Sequence, residues 1–114
     1  MRQVDAIEDV RDLCAGSDFV IFDFTATWCG PCKAIAPVFE ELAAAHPEIA
    51  FVKVDVDVCS EAATECQVMR MPTFQVWCKN ERLYVLEGSS EAELRRLVDM
   101  VKQRHDGLRI DADF

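Results

Sequence analysis

Residues 19–26, FVIFDFTA, form an unbroken apolar and β-prone run that holds a single acid. A strand wet on one face alternates apolar and polar residues. An unbroken run instead marks a strand covered on both faces. Such a strand needs neighbours in a sheet and helices above and below it, which restricts the chain to a layered α/β architecture. The rest of the chain supplies those partners. AFVKVDVDV, 50–58, alternates and then ends in acidic turn residues. TFQVWCK and RLYVLE are two further strands, with Asn80-Glu81 between them as a short hairpin loop that lacks the favoured glycine.

Helical stripes fall between these strands. Ile35, Val38, Phe39 and Leu42 recur at i, i+3, i+4, i+7, and Leu94, Leu97, Val98 and Val101 repeat the spacing. Ser90 and Glu93 form a capping box before the last stripe. Ile7, Val10 and Cys14 outline a short first helix, and Cys59, Ala62, Ala63 and Cys66 a weaker third one. Pro37, inside the second stripe, is expected to kink it. The order β-α-β-α-β-α-β-β-α predicts an α/β fold with a mixed five-stranded sheet flanked by four helices. The 114 residues suit one domain, placed at 1–106, and 51% hydrophobic residues are enough for a core. Residues 107–114 follow Gly107 without periodicity and read as a tail, docked through Leu108, Ile110 or Phe114 or left mobile.

Charge and cysteine usage narrow the function. A net charge of -9 disfavours nucleic acid and anionic membranes as partners. No apolar run approaches the ~20 residues of a membrane span. Charges at Arg2, Asp5, Glu8, Asp9, Arg11, Asp12 and Asp18 interrupt any signal-peptide core, so the expected compartment is cytoplasmic. There six cysteines read as reduced thiols with one working pair rather than as a disulfide framework.

That pair is Cys29 and Cys32, in TWCGPCK. A structural zinc site normally takes four ligands, and neither His46 nor His105 has ligand-like spacing to the pair. A permanent staple closing so small a loop constrains the unfolded chain little. A reversible redox switch suits the surroundings better. The pair lies where a buried strand hands over to a helix, Gly30 permits a tight turn, and Pro31 fits the first helical turn. The helix N-terminus then aims unpaired N–H groups at Cys29, which stabilises a thiolate. One exposed thiolate attacks, and a thiol one turn later resolves the mixed disulfide.

FDFTATWCGPCK, FVKVDVDV and MPTF, in that order, resemble the thioredoxin family over about Met1 to Lys102. The resemblance implies a monomeric protein-disulfide reductase. Cys29 is then the nucleophile and Cys32 the buried resolving thiol. Such a protein binds no cofactor: its disulfide is recharged by thioredoxin reductase at the expense of NADPH. Implied substrates are disulfide-containing proteins such as ribonucleotide reductase or peroxiredoxin. The resemblance also places Asp23 behind Cys32 as the group that deprotonates it. Burial within an apolar strand would raise its pKa to suit that task. Lys53 matches a family lysine near this acid, and equally fits a snorkelling strand lysine. Pro72 is cis by resemblance and faces the cysteines, so the Met71 backbone pairs with a substrate strand. Trp28 becomes a partly exposed apolar platform beside Gly30 and Pro31. Gly88 either leaves room for a substrate chain or is a plain turn glycine.

Three further readings remain. Cys14 and Cys78 are small buried hydrophobes. Arg70 either favours the Cys29 thiolate or is a solvated charge. Cys59 and Cys66 either pack beside Ala62 and Ala63 or, by resemblance, form a regulatory disulfide under oxidation. Seven residues of helix separate them by a rise of roughly 10 Å, so that bond needs local unwinding. Two other functions compete with the reductase. One is an interaction module with incidental cysteines, the other an oxidase or isomerase of a secretory compartment.

Overall fold

The computed structural model describes residues 1–112, with side chains through residue 107. The elements are β1 (Arg2–Gln3), α1 (Ile7–Ala15), β2 (Val20–Thr25), α2 (Gly30–Ala45), β3 (Ala50–Asp55), α3 (Ser60–Glu65), β4 (Thr73–Cys78), β5 (Glu81–Glu87) and α4 (Glu91–Ala112). They build one mixed sheet of order β1-β3-β2-β4-β5. β1, β3 and β2 run parallel, and β4 and β5 are antiparallel additions. The expected fold class, five strands and four helices, is what forms.

All six residues of β2 are buried, as an unbroken apolar strand requires. Alternation sends Phe19 and Ile21 to one face and Val20, Phe22 and Phe24 to the other. The first face packs on α2 and α4 through Ile35, Phe39, Leu94 and Val98. Phe39 meets Phe51 edge-on at 5.3 Å between ring centroids. The second face packs on α1 and α3 through Val10, Cys14, Ala62 and Cys66. Cys14 and Cys78 are both buried.

The start of α4 follows the capping signal: Glu93 N–H donates to Ser90 Oγ at 3.3 Å. Three local features differ from expectation. The hairpin turn is Lys79-Asn80, not Asn80-Glu81, because Cys78 and Glu81 already face each other in register. Both turn residues have positive φ, 52° and 62°, the twist a two-residue hairpin favours. Their N–H groups donate to Gly16 O and Cys14 O, at 2.8 and 2.7 Å, which anchors the turn without a glycine. Cys59 and Cys66 are not inside α3 but cap its two ends. Helix α4 passes through Gly107 to Ala112, where the sequence suggested a tail from residue 107. A glycine costs a helix interior only about 1 kcal/mol, too little to end one by itself. The expected docking of Leu108, Ile110 or Phe114 lies outside the described side chains.

Candidate active site

β2 ends at Thr25 and α2 begins at Gly30, so the sheet edge delivers residues 26–29 to the N-terminus of α2. Cys29 is the N-cap residue, and Gly30 and Pro31 are the exposed first residues of the helix. Cys32 N–H donates to Cys29 Sγ at 3.2 Å, so the sulfur occupies the place a capping oxygen usually takes. Cys29 and Cys32 are disulfide-bonded, with Cα atoms 5.3 Å apart.

Cys29 is less open than expected. It is 5% exposed against 2% for Cys32. The bond folds its sulfur onto Cys32, and the pair packs with Ala26 against Val56 and Met71. The Met71–Pro72 peptide is cis. Pro72 is buried, and its carbonyl accepts from Gly88 N–H at 2.9 Å. Gly88 has φ of +103°, which favours glycine, and a Cβ there would meet nothing within 4 Å. Met71, Pro72 and Gly88 therefore lie on one side of the pair.

Trp28 lies on another side and is 67% exposed. It is nonetheless held, since Trp28 Nε1–H donates to Asp57 Oδ2 at 2.8 Å. Asp57 N–H in turn donates to Asp55 Oδ1 at 2.9 Å. Sequence reasoning assigned no task to either acid. The available signal was their place at the end of β3, where Asp side chains cap backbone turns. Val58 and Met69, at 59% and 86% exposure, lie before and after α3. Arg70 pairs with Glu87 at 3.6 Å, both exposed, so its charge is shared with a carboxylate.

Asp23 is 2% exposed and sits on the β2 face that α2 covers, in register with Lys53 on β3. Its Oδ1 has no hydrogen-bond partner. Burial pushes its pKa up from 3.8 to about 7, only partly countered by the Lys53 charge. Lys53 and Cys32 border the same cleft of about 330 Å³, with Gln3, Thr25 and Ala36. The arrangement puts a buried carboxyl of raised pKa behind the helix that carries Cys32, and an open cleft beside that sulfur. Cys59 and Cys66 are free thiols at the ends of α3, away from the bonded pair. Among the described residues no group of three or more His, Cys, Asp or Glu could hold a metal ion.

The thioredoxin family model matches residues 7–103. Thioredoxin from Callithrix jacchus is 40% identical over 95 residues, 83% of this chain and 90% of its own length. Thioredoxin from Homo sapiens is 41% identical over 94 residues, 82% of this chain and 89% of its own. Among solved structures, Plasmodium falciparum thioredoxin superposes with a TM-score of 0.84 at 34% identity, covering 88% of this chain and 98% of the other. Fasciola hepatica thioredoxin gives 0.83 at 37% identity, with the same coverage.

Proposed function

The chain belongs to the thioredoxin family and is a thiol–disulfide oxidoreductase, and from that premise we propose that it reduces protein disulfides through Cys29 and Cys32. In the reduced protein the Cys29 thiolate attacks a substrate disulfide. A mixed disulfide forms and one substrate thiolate leaves. Asp23, ionising near neutral pH, takes the Cys32 proton through the adjoining cleft. The Cys32 thiolate then attacks Cys29 Sγ, the second substrate thiol leaves, and the bonded pair remains. Two electrons from NADPH, delivered by thioredoxin reductase, restore the dithiol, and the protein itself binds no cofactor. Trp28, Gly30 and Pro31 form one wall of the substrate site, and Met71, Pro72 and Gly88 the other. The Met71 backbone offers an edge for an extended substrate segment.

The observation that carries this reading is Cys29 at the N-cap of α2, taking the Cys32 N–H while bonded to Cys32. Donors aimed at that sulfur favour its thiolate as attacker and as leaving group. A monomer in the cytoplasm fits this task, because reductive exchange needs a reducing compartment. Disulfide proteins such as ribonucleotide reductase or peroxiredoxin are the substrate class. The test is NADPH-dependent reduction of insulin by the chain with purified thioredoxin reductase. Turnover supports the reading. Absence of turnover with both the reductase and dithiothreitol points to an interaction module.

A further inference from the structure

The cysteines outside the active site are not scattered. Cys14 lies in the last turn of α1 and Cys66 caps the end of α3, both buried in the layer on the second face of the sheet. Both belong to the same buried cluster on that face. Both line one cavity of about 100 Å³, with Val10, Trp77 and the exposed Arg11, Glu65 and Asn80. A cavity of that size and opening admits a molecule like water or hydrogen peroxide and excludes a peptide.

The surrounding backbone is held in place. Gln75 Nε2 and Arg82 Nη1 donate to Cys66 O at 2.7 and 2.9 Å, and Asn80 N–H donates to Cys14 O at 2.7 Å. Beside the thiols, Arg11 and Glu65 form an ion pair that straps α1 to α3. Within the pair the roles are unequal. The neighbouring Cys14 thiol lowers the Cys66 pKa, with Arg82 adding to it against burial and Glu65, while the Cys66 side chain and burial raise Cys14. Cys66 is thus the more readily ionised thiol of the two.

We propose that Cys14 and Cys66 are a second dithiol, separate from Cys29 and Cys32, which hydrogen peroxide oxidises to a disulfide joining α1 to α3. The Cys66 thiolate attacks one peroxide oxygen, the O–O bond breaks, and the departing hydroxide takes a proton to become water. Cys66 is then a sulfenic acid. The Cys14 sulfur attacks it, the S–O bond breaks, and a second water leaves with the Cys14 proton. Two thiols lose two electrons and one peroxide gains them. Cys59 is the rival partner for Cys66, but all of α3 stands between those two caps. Joining them would unwind the helix, whereas Cys14 lines the same cavity as Cys66.

The test is a disulfide map of the peroxide-treated protein. Remaining thiols are alkylated, and cleavage after Glu61 and Glu65 puts Cys59 and Cys66 on separate peptides. Met69, 86% exposed, reports the dose by its sulfoxide. The expected map shows a Cys14–Cys66 crosslink, with Cys59 and Cys78 alkylated. The oxidised protein should also show a raised thermal midpoint, because the new bond closes a long loop. A Cys59–Cys66 crosslink overturns the proposal. So does a map with Cys14 and Cys66 alkylated at a dose that fully oxidises Met69. In Cys66→Ala, dimedone should capture no sulfenic acid at Cys14, and its capture there would reverse the assigned order of attack. None of these readouts depends on disulfide-reductase turnover, so they stand or fall apart from the exchange reading.

Discussion

Asp23 shows how one residue can oppose stability while suiting chemistry. Its carboxyl is buried, lacks a partner at Oδ1, and titrates near 7 rather than 3.8. Below about pH 3 the folded and unfolded chains are both protonated there, and the acid changes nothing. Between about 4 and 7 the unfolded chain ionises first, so the folded state loses stability as pH rises. Above the folded pKa the loss is complete. At 1.36 kcal/mol per pH unit it amounts to about 4 kcal/mol. Asp23→Asn should therefore match the parent in urea unfolding near pH 3 and exceed it by up to about 4 kcal/mol at pH 8. It should also slow exchange at pH 7 by roughly tenfold or more, since a positioned base contributes at least that much. Equal rates for parent and variant from pH 6 to 8 would remove Asp23 from the mechanism. The cysteines separate in the same way. Cys29→Ser should abolish reduction. Cys32→Ser should instead accumulate mixed disulfides, visible by mass as adducts of substrate on the protein. Equal inertness of both variants, without adducts, would contradict the assigned order of attack.

At the scale of elements, the active site is made by two loops that the sheet brings together. The β2–α2 segment carries Trp28 and the cysteines, and the segment after β3 carries Asp57. The Trp28–Asp57 hydrogen bond is one direct side-chain link between them, beside the packing of Val56 on Ala26 and the cysteine pair. It holds a large exposed ring in one orientation, so less ordering is needed when substrate binds. Asp57→Ala should raise KM for a protein disulfide severalfold with kcat nearly unchanged. Stability should fall by about 1 kcal/mol or less, because the bond is exposed. Steady-state kinetics beside urea unfolding would separate the two effects, and a fall in kcat at constant KM would contradict the platform role of Trp28. Helix α3 is the other element of note. Its six residues lie between two buried cysteine caps, so α3 is short and pinned at both ends.

For the whole molecule the dominant quantity is a net charge of -9. Several basic groups are already engaged: Arg11 with Glu65, Arg70 with Glu87, Arg95 with Glu41 and Glu91, and Lys102 with Glu48 and Asp106. The acidic excess therefore governs long-range encounter. At low salt a basic disulfide substrate should be reduced faster than a neutral one of similar potential. Raising ionic strength from about 0.01 M to about 0.15 M shortens the screening length from about 30 Å to about 8 Å. That change should cut kcat/KM for the basic substrate by roughly tenfold and leave the neutral one nearly unmoved. Equal salt dependence for both substrates would show that net charge does not steer encounter.

What the sequence determined by itself is what short-range physics encodes. The unbroken run in β2, the stripes of α2 and α4, the Ser90 cap and the turn from β2 into Gly30-Pro31 each involve residues a few positions apart. Backbone sterics and periodic burial act over that distance, so the sheet, its helices and the spacing of Cys29 and Cys32 could be read directly. Tertiary structure decided what depends on residues distant in the chain. The hairpin turned at Lys79-Asn80 because β4 and β5 pair in one register and the turn is tied to α1. Cys29 became nearly as buried as Cys32 because Val56 and Met71 close over the bonded pair. Asp57 acquired Trp28, Arg70 acquired Glu87, and Cys66 came to share a cavity with Cys14 rather than Cys59. No periodicity records such meetings, since they exist only once the helices dock on the sheet and water is expelled between them.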